Sequence, residues 1–461
     1  MSSKVHLKIA EPASSLRNDG TRNHVHPADV HGRFVRARYV VFALLIAVWA
    51  ALPWIPIAGR PALFLDVEHR RFYLFGGTFN AQDFWLVFFL VTGVGFALIV
   101  VTAFLGRVWC GWACPQTVFM EGVFRRIERL VEGPRNERLR RNAGPWSFDK
   151  IWRKTVKHVL FVIAALFVSH IFLSFFVSMP SLLQMVQRSP AEHPTAFAWM
   201  AAVSVILYGN FAWFREQLCL IVCPYGRLQS VLTDRDSLVV GYDERRGEPR
   251  GKAKDTNAGD CVDCGRCVVV CPTGIDIRNG LQLDCIGCTA CIDACDEVMD
   301  KLGRPRGLVR YDSLNGLERE PKRIWRARVA LYAVLLVAGV VVAGIALRSH
   351  TPFEANLLRL RGAPYLVQDG SVHNLFQLHL INKGPERTAF VLEPVDAPGQ
   401  SFRISPARVE LDSLADRQIS VVVQVPLAQF RLGRSARVRV RREADPPDQA
   451  EELTGPLLGP E

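Results

Sequence analysis

Five stretches without Asp, Glu, Lys or Arg interrupt an otherwise charged chain: residues 39–58, 84–106, 158–179, 195–214 and 329–347. Each holds 19 to 23 residues, and about 20 in a helix suffice to cross a hydrocarbon core. A buried helix of a soluble protein is the alternative for any one of them, but five with charged flanks predict a membrane bundle. Between the second and third, Phe119, Val123, Phe124, Ile127 and Leu130 recur at helical spacing, with Arg125, Arg126 and Arg129 among them. That pattern suits a helix lying in the headgroup layer, or one packed on the cysteine-rich segment further along. From residue 353 to 443 the period changes to two: "SVHNLFQLHLINK", "RQISVVVQVP" and "RSARVRVRRE" alternate apolar and polar positions between Gly and Pro turns. An antiparallel β-sandwich without a cysteine, hence without a disulfide, is expected there. Residues 446–461, rich in Pro and acids, are expected to be a disordered tail.

Charge fixes the expected orientation. The 461 residues carry 56 Lys and Arg against 44 Asp and Glu, a formal charge of +12. Six basic residues lie in 1–37 and eleven in 107–155, but only three in 59–83 and one in 180–194. Basic loops stay inside, so the N-terminal stretch and residues 215–328 are expected in the cytoplasm, and residues 348–461 on the outer face. Basic loops at an inner membrane surface also account for most of the net charge, and nucleic acid is not needed as a partner. Residues 1–37 lack the apolar core of a secretory signal and are read as a mobile cytoplasmic tail. The expected domains are 1–37 (tail), 38–228 (four spans), 229–325 (cytoplasmic cysteine-rich domain), 326–349 (fifth span), 350–445 (outer sandwich) and 446–461 (tail).

Eight of the twelve cysteines fall in residues 261–295. "CVDCGRCVVVCP" supplies Cys261, Cys264, Cys267 and Cys271, and "CIGCTACIDACD" supplies Cys285, Cys288, Cys291 and Cys295. Both runs have the C-x2-C-x2-C-x3-C spacing of bacterial two-cluster ferredoxins, in which the fourth cysteine ligates the other cluster. Cys261, Cys264, Cys267 and Cys295 are therefore assigned to one [4Fe–4S] cluster, and Cys285, Cys288, Cys291 and Cys271 to the second. Paired zinc sites are the alternative, which two complete tandem copies 13 residues apart disfavour. Gly265 and Gly287 would let backbone N–H groups approach the sulfurs. Pro272 follows the first run, whereas Asp296 stands at the matching place in the second.

The other four cysteines form an internal repeat. "RVWCGWACPQ" follows the second span and "REQLCLIVCPYG" the fourth, giving Cys110, Cys114, Pro115 and Cys219, Cys223, Pro224. Spacing of four places both sulfurs of a pair on one helix face, with proline expected to end or bend the helix just beyond. Two equivalent spans would gather all four thiols at the membrane edge, where soft thiolates select Cu(I), zinc or iron–sulfur clusters. His158 and His170 in the third span are further candidates, because an intramembrane histidine is a functional candidate by default. Standing about 18 Å apart along a helix, they cannot serve one site.

With "WCGWACPQTVFMEG", "CLIVCPYGRLQS", "YDERRGEPRG", "GLVRYDS" and the ferredoxin run, the chain resembles the cytochrome oxidase accessory family called CcoG, FixG or RdxA, within the membrane polyferredoxins that include NapH-type proteins. The order of spans, ferredoxin segment, last span and terminal domain agrees over about residues 35–445. The resemblance implies a five-helix transmembrane bundle, a cytoplasmic two-cluster ferredoxin-like α+β insertion and a periplasmic immunoglobulin-like β-sandwich, in a bacterial inner membrane. It implies reduction of Cu(II) to Cu(I) for assembly of a haem–copper cytochrome c oxidase, with oxidase subunits or copper chaperones and a cytoplasmic electron donor as partners. Cys110, Cys114, Cys219 and Cys223 would then bind copper or pass electrons to it. Spacing shows cysteine ligation, not copper. A quinol-linked electron-transfer subunit and a non-catalytic assembly scaffold are the rival readings.

Overall fold

The computed structural model describes residues 24–57, 60–67, 71–80, 83–323, 325–348, 353–360, 365–384, 386–395, 403–413, 415–431, 433, 435–446 and 450–460. Most of the expected basic tail lies outside these residues. The chain divides into two compact units, one of residues 1–69 and 85–343, the other of residues 70–84 and 344–461.

Helices Arg33–Trp54, Leu86–Leu105, Phe148–Leu173, Pro194–Phe214 and Ala327–Ile345 are long and apolar enough to cross a membrane. Their outward faces are bare: Phe88, Val91, Val205, Ile206, Val334, Val337 and Val340 are each more than half exposed. So much contiguous apolar surface calls for hydrocarbon as the solvent.

Two span boundaries differ from the charge-free stretches. The first helix begins at Arg33, inside the stretch read as mobile tail, because a distant residue caps it. Asp293 accepts the backbone N–H of Val35 at 2.8 Å and of Phe34 at 3.4 Å, taking up N–H groups that a helix start leaves without partners. Gly32 permits this approach, since a Cβ there would lie 2.1 Å from Asp293 Cγ. The third helix starts at Phe148, where the Ser147 hydroxyl accepts Lys150 N–H at 3.3 Å. Its basic first turns then reach Glu132, with Lys154 at 3.5 Å and Lys157 at 3.2 Å.

The amphipathic stretch after Cys114 packs on the cysteine-rich segment, one of its two expected positions, where Arg125 donates to the Pro272 carbonyl at 3.0 Å. It runs as Pro115–Phe119, a π-turn Met120–Phe124 and Arg125–Glu132, and also packs against the third and fourth spans. Phe124 stacks on Phe211 at 4.2 Å and meets Phe161 edge-on at 5.0 Å, while Leu130 is 81% exposed. Its polar face enters a buried ion network. Glu128 is bound by Arg215 at 2.6 Å and by Arg138 at 3.3 Å. Arg125 pairs with Glu121 and reaches Glu216 at 3.3 Å. Burial raises the Glu128 carboxyl, but the Arg215 guanidinium outweighs it and holds the pKa at about 2.

The cysteine-rich segment forms an α+β module. Strand β1 (Val239–Tyr242) pairs antiparallel with β2 (Val309–Asp312), Val239 opposite Asp312. Helices Arg266–Val269 and Ala290–Lys301 follow the two cysteine loops. Ile275, Ile277, Ile292, Met299 and Leu308 form the core with the cysteines.

The second unit is a β-sandwich of β3 (Phe353–Arg359), β4 (Leu366–Gln368), β5 (Ser371–Asn382), β6 (Thr388–Pro394), β7 (Arg403–Ser405), β8 (Arg408–Leu411), β9 (Asp416–Pro426), β10 (Ser435–Arg442) and β11 (Glu451–Pro456). One sheet has the order β7-β9-β5-β3 with β4 also on β5, and the other β8-β6-β10-β11. Alternate residues of β5 are buried, and Phe376, Phe390, Val421 and Val438 fill the space between the sheets. Two expectations are corrected here. The tail expected to be disordered contributes β11, paired with β10 at Val438–Leu453, and Leu457 is buried. Its acidic composition conceals a strand whose Glu452 faces Arg437 at 3.6 Å. Residues 70–84, expected in the membrane domain, group instead with the sandwich. There Asp83 and Lys383 form a buried pair at 3.1 Å, with Glu354 at 3.4 Å from the same ammonium.

Candidate functional site

The eight ferredoxin cysteines line two separate cavities. Cys261, Cys264, Cys267 and Cys295 border one. Cys271, Cys285, Cys288 and Cys291 border another, with Cys267 at its wall. Each cavity thus gathers the four cysteines that the spacing assigns to one cluster, and the all-thiol donor set suits an iron–sulfur group. Among the described residues no three His, Cys, Asp or Glu side chains converge tightly enough for a single metal ion. Burial drives the Cys267 and Cys295 thiols up to about 12, Cys285 to about 11 and Cys288 to about 12. Such thiols take on charge only when a cationic centre replaces the proton.

The ligand loops are built from left-handed residues at two matching positions. Before the second cysteine of each run stand Asp263 (φ 49°) and Gly287 (φ 67°); after it stand Gly265 (φ 65°) and Thr289 (φ 65°). Each loop thus has one glycine, at opposite positions, and one residue that adopts the conformation less readily. Asp296, where the first run has proline, accepts the backbone N–H of Gly307 at 3.0 Å and so fastens the turn before β2.

At the membrane-edge repeat the chain differs from the expected helix-then-proline. Cys110 lies on helix Val108–Trp112 and Cys219 on the π-turn Leu218–Val222, but Cys114 and Cys223 are extended, with ψ 127° and 109°. Each proline opens the next helix, Pro115–Phe119 or Pro224–Leu232. Proline disfavours the helical conformation in the residue before it and suits the first helical position, so the break falls at the second cysteine rather than after it. The four thiols lie within each other's electrostatic reach. Cys219 is pushed up to about 12 by burial, then by Cys114, Cys110 and Cys223, and burial lifts Cys110 to about 11 with Cys114 adding to it. Cys110 Sγ also contacts the Gln229 amide nitrogen at 3.4 Å.

Two crossed hydrogen bonds, not legible from spacing, bind the repeats together. Gln116, two residues after Cys114, exchanges hydrogen bonds with Asn210 of the fourth span at 2.7 and 3.3 Å, and donates to the Arg215 carbonyl at 3.1 Å. Tyr225, two residues after Cys223, meets Thr102 of the second span at 2.6 Å. The residue two past each cysteine pair thus reaches the span leading into the other pair. The histidines are engaged elsewhere. His158 meets Tyr208 OH of the fourth span at 3.0 Å, and His170 meets the Leu166 carbonyl of its own helix at 2.7 Å; neither contact reaches a thiol.

Known proteins share this layout. Residues 84–134 match the family described as a 4Fe-4S binding domain, residues 214–314 the 4Fe-4S dicluster domain, and residues 343–460 the IG-like fold at the C-terminus of FixG. Nitrogen fixation protein FixG of Rhizobium meliloti is 36% identical over 430 residues, covering 83% of this chain and 81% of that protein. Protein RdxA of Cereibacter sphaeroides is 37% identical over 390 residues, covering 80% and 82%. A crystal structure of a FixG-related protein from Vibrio parahaemolyticus aligns at 12% identity and a TM-score of 0.20, covering 24% of this chain and 97% of that one. With its apolar spans, its iron–sulfur domains and relatives similar over four-fifths of their length, the chain belongs to the FixG/RdxA family of membrane-associated iron–sulfur electron-transfer proteins.

Proposed function

We propose that this chain takes electrons one at a time from a cytoplasmic donor and passes them to Cu(II) at Cys110, Cys114, Cys219 and Cys223, releasing Cu(I) for assembly of a haem–copper cytochrome c oxidase. The observation that carries the reading is one compact unit holding two four-thiol cavities and a third group of four thiols. When bound, the two [4Fe–4S] groups supply reversible one-electron storage. The polypeptide holds them dry, and its membrane-edge thiolates favour Cu(I) over Cu(II), which assists the reduction. Copper binding displaces protons from the buried thiols, so uptake is expected to strengthen as pH rises.

In the same reading the ferredoxin domain of residues 229–325 is cytoplasmic, the fifth span occupies 326–349 and the sandwich lies in the periplasm of a bacterial inner membrane. There the sandwich meets oxidase subunits or a copper chaperone. The grouping of residues 70–84 with 344–461 supports this orientation, since a loop after the first span and a segment after the fifth share one side.

A second reading has its own support: the match to a 4Fe-4S binding domain at residues 84–134 covers Cys110 and Cys114, so the four membrane-edge thiols would hold a third cluster. Anaerobic iron analysis separates the two, with about eight iron atoms per chain for two clusters and about twelve for three. For the copper reading, dithionite-reduced protein is mixed with Cu(II) while cluster bleaching and Cu(I) are followed. The expected result is Cu(I) above a chelator-only control, with copper binding lost in a Cys110→Ser/Cys219→Ser variant that keeps its cluster absorbance. No Cu(I) above the control sinks the proposal; reoxidation by a quinone analogue instead points to the quinol-linked rival, and by neither to the scaffold.

A further inference from the structure

We infer that the set Cys271, Cys285, Cys288 and Cys291 is the one through which electrons leave for the membrane-edge thiols, and that Arg38 and Gly111 build the junction between them. This deepens the electron-transfer reading above and does not depend on whether copper is the acceptor.

Both cavities are lined by residues of the ferredoxin segment; they differ in what lies behind their cysteine loops. Cys264, in the set with Cys261, Cys267 and Cys295, is exposed, which suits entry from a soluble one-electron donor. The loop Cys285–Cys288 instead lies directly on the first C-x3-C-P turn. A Cβ on Gly111 would stand 2.7 Å from the Ile286 carbonyl oxygen and 2.8 Å from that of Gly287. From the other side, a Cβ on Gly287 would stand 3.1 Å from the Arg107 carbonyl oxygen. Glycine on both faces brings backbone against backbone. Cys110 packs on the apolar group that includes Cys288, Ile286 and Ala290. Arg107 donates to the Cys285 carbonyl at 3.3 Å and to the Gly226 carbonyl at 2.9 Å, joining this loop to the second repeat as well.

Arg38 sits at the junction. It lies on the first span, is 3% exposed, and donates through Nε to the Gly111 carbonyl at 2.7 Å. Its Nη2 is buried without a hydrogen-bond partner among the described residues. A buried guanidinium normally has all its donors engaged. Gly111 in turn lies against the Ile286 and Gly287 carbonyls, so an orphaned Nη2 beside it has a natural acceptor in the sulfur of a group held by Cys288. The Asp293 cap on the first span holds Arg38 in this place. Arg266 and Arg278 beside the other set are paired with Glu297 and with Asp276 and Asp263. A buried cation such as Arg38 instead stabilises the more negative, reduced state of the set beside it and raises its potential above that of the other. Electrons then run from the exposed set to the set against the membrane edge. One electron leaves the donor and one reaches the acceptor, with no bond made or broken.

The test is a redox titration by electron paramagnetic resonance on the full-length, cluster-loaded protein without copper. Arg38→Gln is expected to move one cluster to lower potential, namely the cluster whose signal Cys288→Ser alters and Cys264→Ser does not. Arg38→Lys is expected to restore much of the shift. Equal shifts in both clusters, a shift in the Cys264-dependent one, or no shift overturns the inference. As a second variant, Gly111→Ala is expected to slow electron transfer to an added acceptor several-fold while both clusters still bleach fully with dithionite. An unchanged rate counts against the junction. Because the titration contains no copper, failure of copper reduction leaves this result standing, and the reverse.

Discussion

The loops at Cys261–Cys267 and Cys285–Cys291 take their shape from residues within them, whereas the turns at Cys110–Pro115 and Cys219–Pro224 are held by residues far away in the chain. In the loops, left-handed residues flank the second cysteine and a helix starts immediately after. At the turns, proline fixes the break locally, but the placement of one pair against the other depends on Gln116–Asn210, Tyr225–Thr102 and the Glu128–Arg215 pair. A short-range device makes a cofactor cradle that many proteins can share. A long-range one ties thiol geometry to the packing of the whole helix bundle, so the membrane-edge site is expected to be the more fragile of the two.

The largest effect expected comes from the one place where the ferredoxin loops are not self-contained, their exchanged fourth cysteines. Cys295 closes the cavity of Cys261, Cys264 and Cys267. Cys295→Ser is therefore expected to disturb the first-run cluster and spare the cluster of its own run, with loss of up to about half the bound iron. Electron paramagnetic resonance of the reduced protein, compared with Cys264→Ser and Cys288→Ser, reads this directly. If Cys295→Ser gives the Cys288→Ser pattern, the exchange is wrong and each run serves itself.

Next comes Glu128→Gln, which acts on the long-range side. Removing one partner of a buried ion pair costs about 3–5 kcal/mol, and here it leaves Arg215, four residues before Cys219, without its main counter-charge. Thermal unfolding in detergent is expected to fall sharply, and copper binding to weaken, while the two-cluster absorbance persists. Equal loss of both sites would remove the distinction drawn above. Acid gives an independent check. The folded pKa of Glu128 is about 2 against an ordinary 4.5, so its contribution is complete above 4.5 and is lost as pH falls toward 2. Glu128→Gln protein is expected to lose less stability than the parent across that window.

Much of the fold was legible because its signals are local. Charge-free stretches found five spans, period-two alternation found the sandwich, and the cysteine spacing grouped its ligands as the two cavities group them. What escaped was contributed from a distance. The Asp293 cap moved the first helix start into a basic stretch, and Ser147 with Glu132 drew the third helix back through charged residues. Cross-strand pairing made a strand of an acidic tail. At the site, the cysteines were visible but the crossed bonds of Gln116 and Tyr225 were not. Gln and Tyr after a proline carry no pattern until both spans are in place. His158 and His170 stood out only because histidine is rare in a span; one bonds a tyrosine of the next span and the other a carbonyl of its own helix.

The smallest effect separates the two ferredoxin loops themselves. Asp263 and Gly287 hold the same left-handed position, but only Gly287 lies against the membrane-edge turn. Asp263→Gly relieves a conformation that costs a non-glycine residue about 1 kcal/mol. It also loses the pair with Arg278 at 2.5 Å, whose aspartate is 61% exposed and whose worth is about 0–1 kcal/mol. Arg278 keeps Asp276 at 2.7 Å. The balance lies between neutrality and a gain of under about 1 kcal/mol, readable as an unchanged or slightly raised melting temperature with both clusters intact. Gly287→Ala is the counterpart. It adds the same left-handed cost of about 1–2 kcal/mol and presses a methyl to 3.1 Å from the Arg107 carbonyl oxygen, so it is expected to destabilise and to perturb only the cluster beside Cys288. Were the two substitutions equally mild, the Cys285–Cys288 loop would not be in contact with the turn at Cys110, and the two regions would be independent.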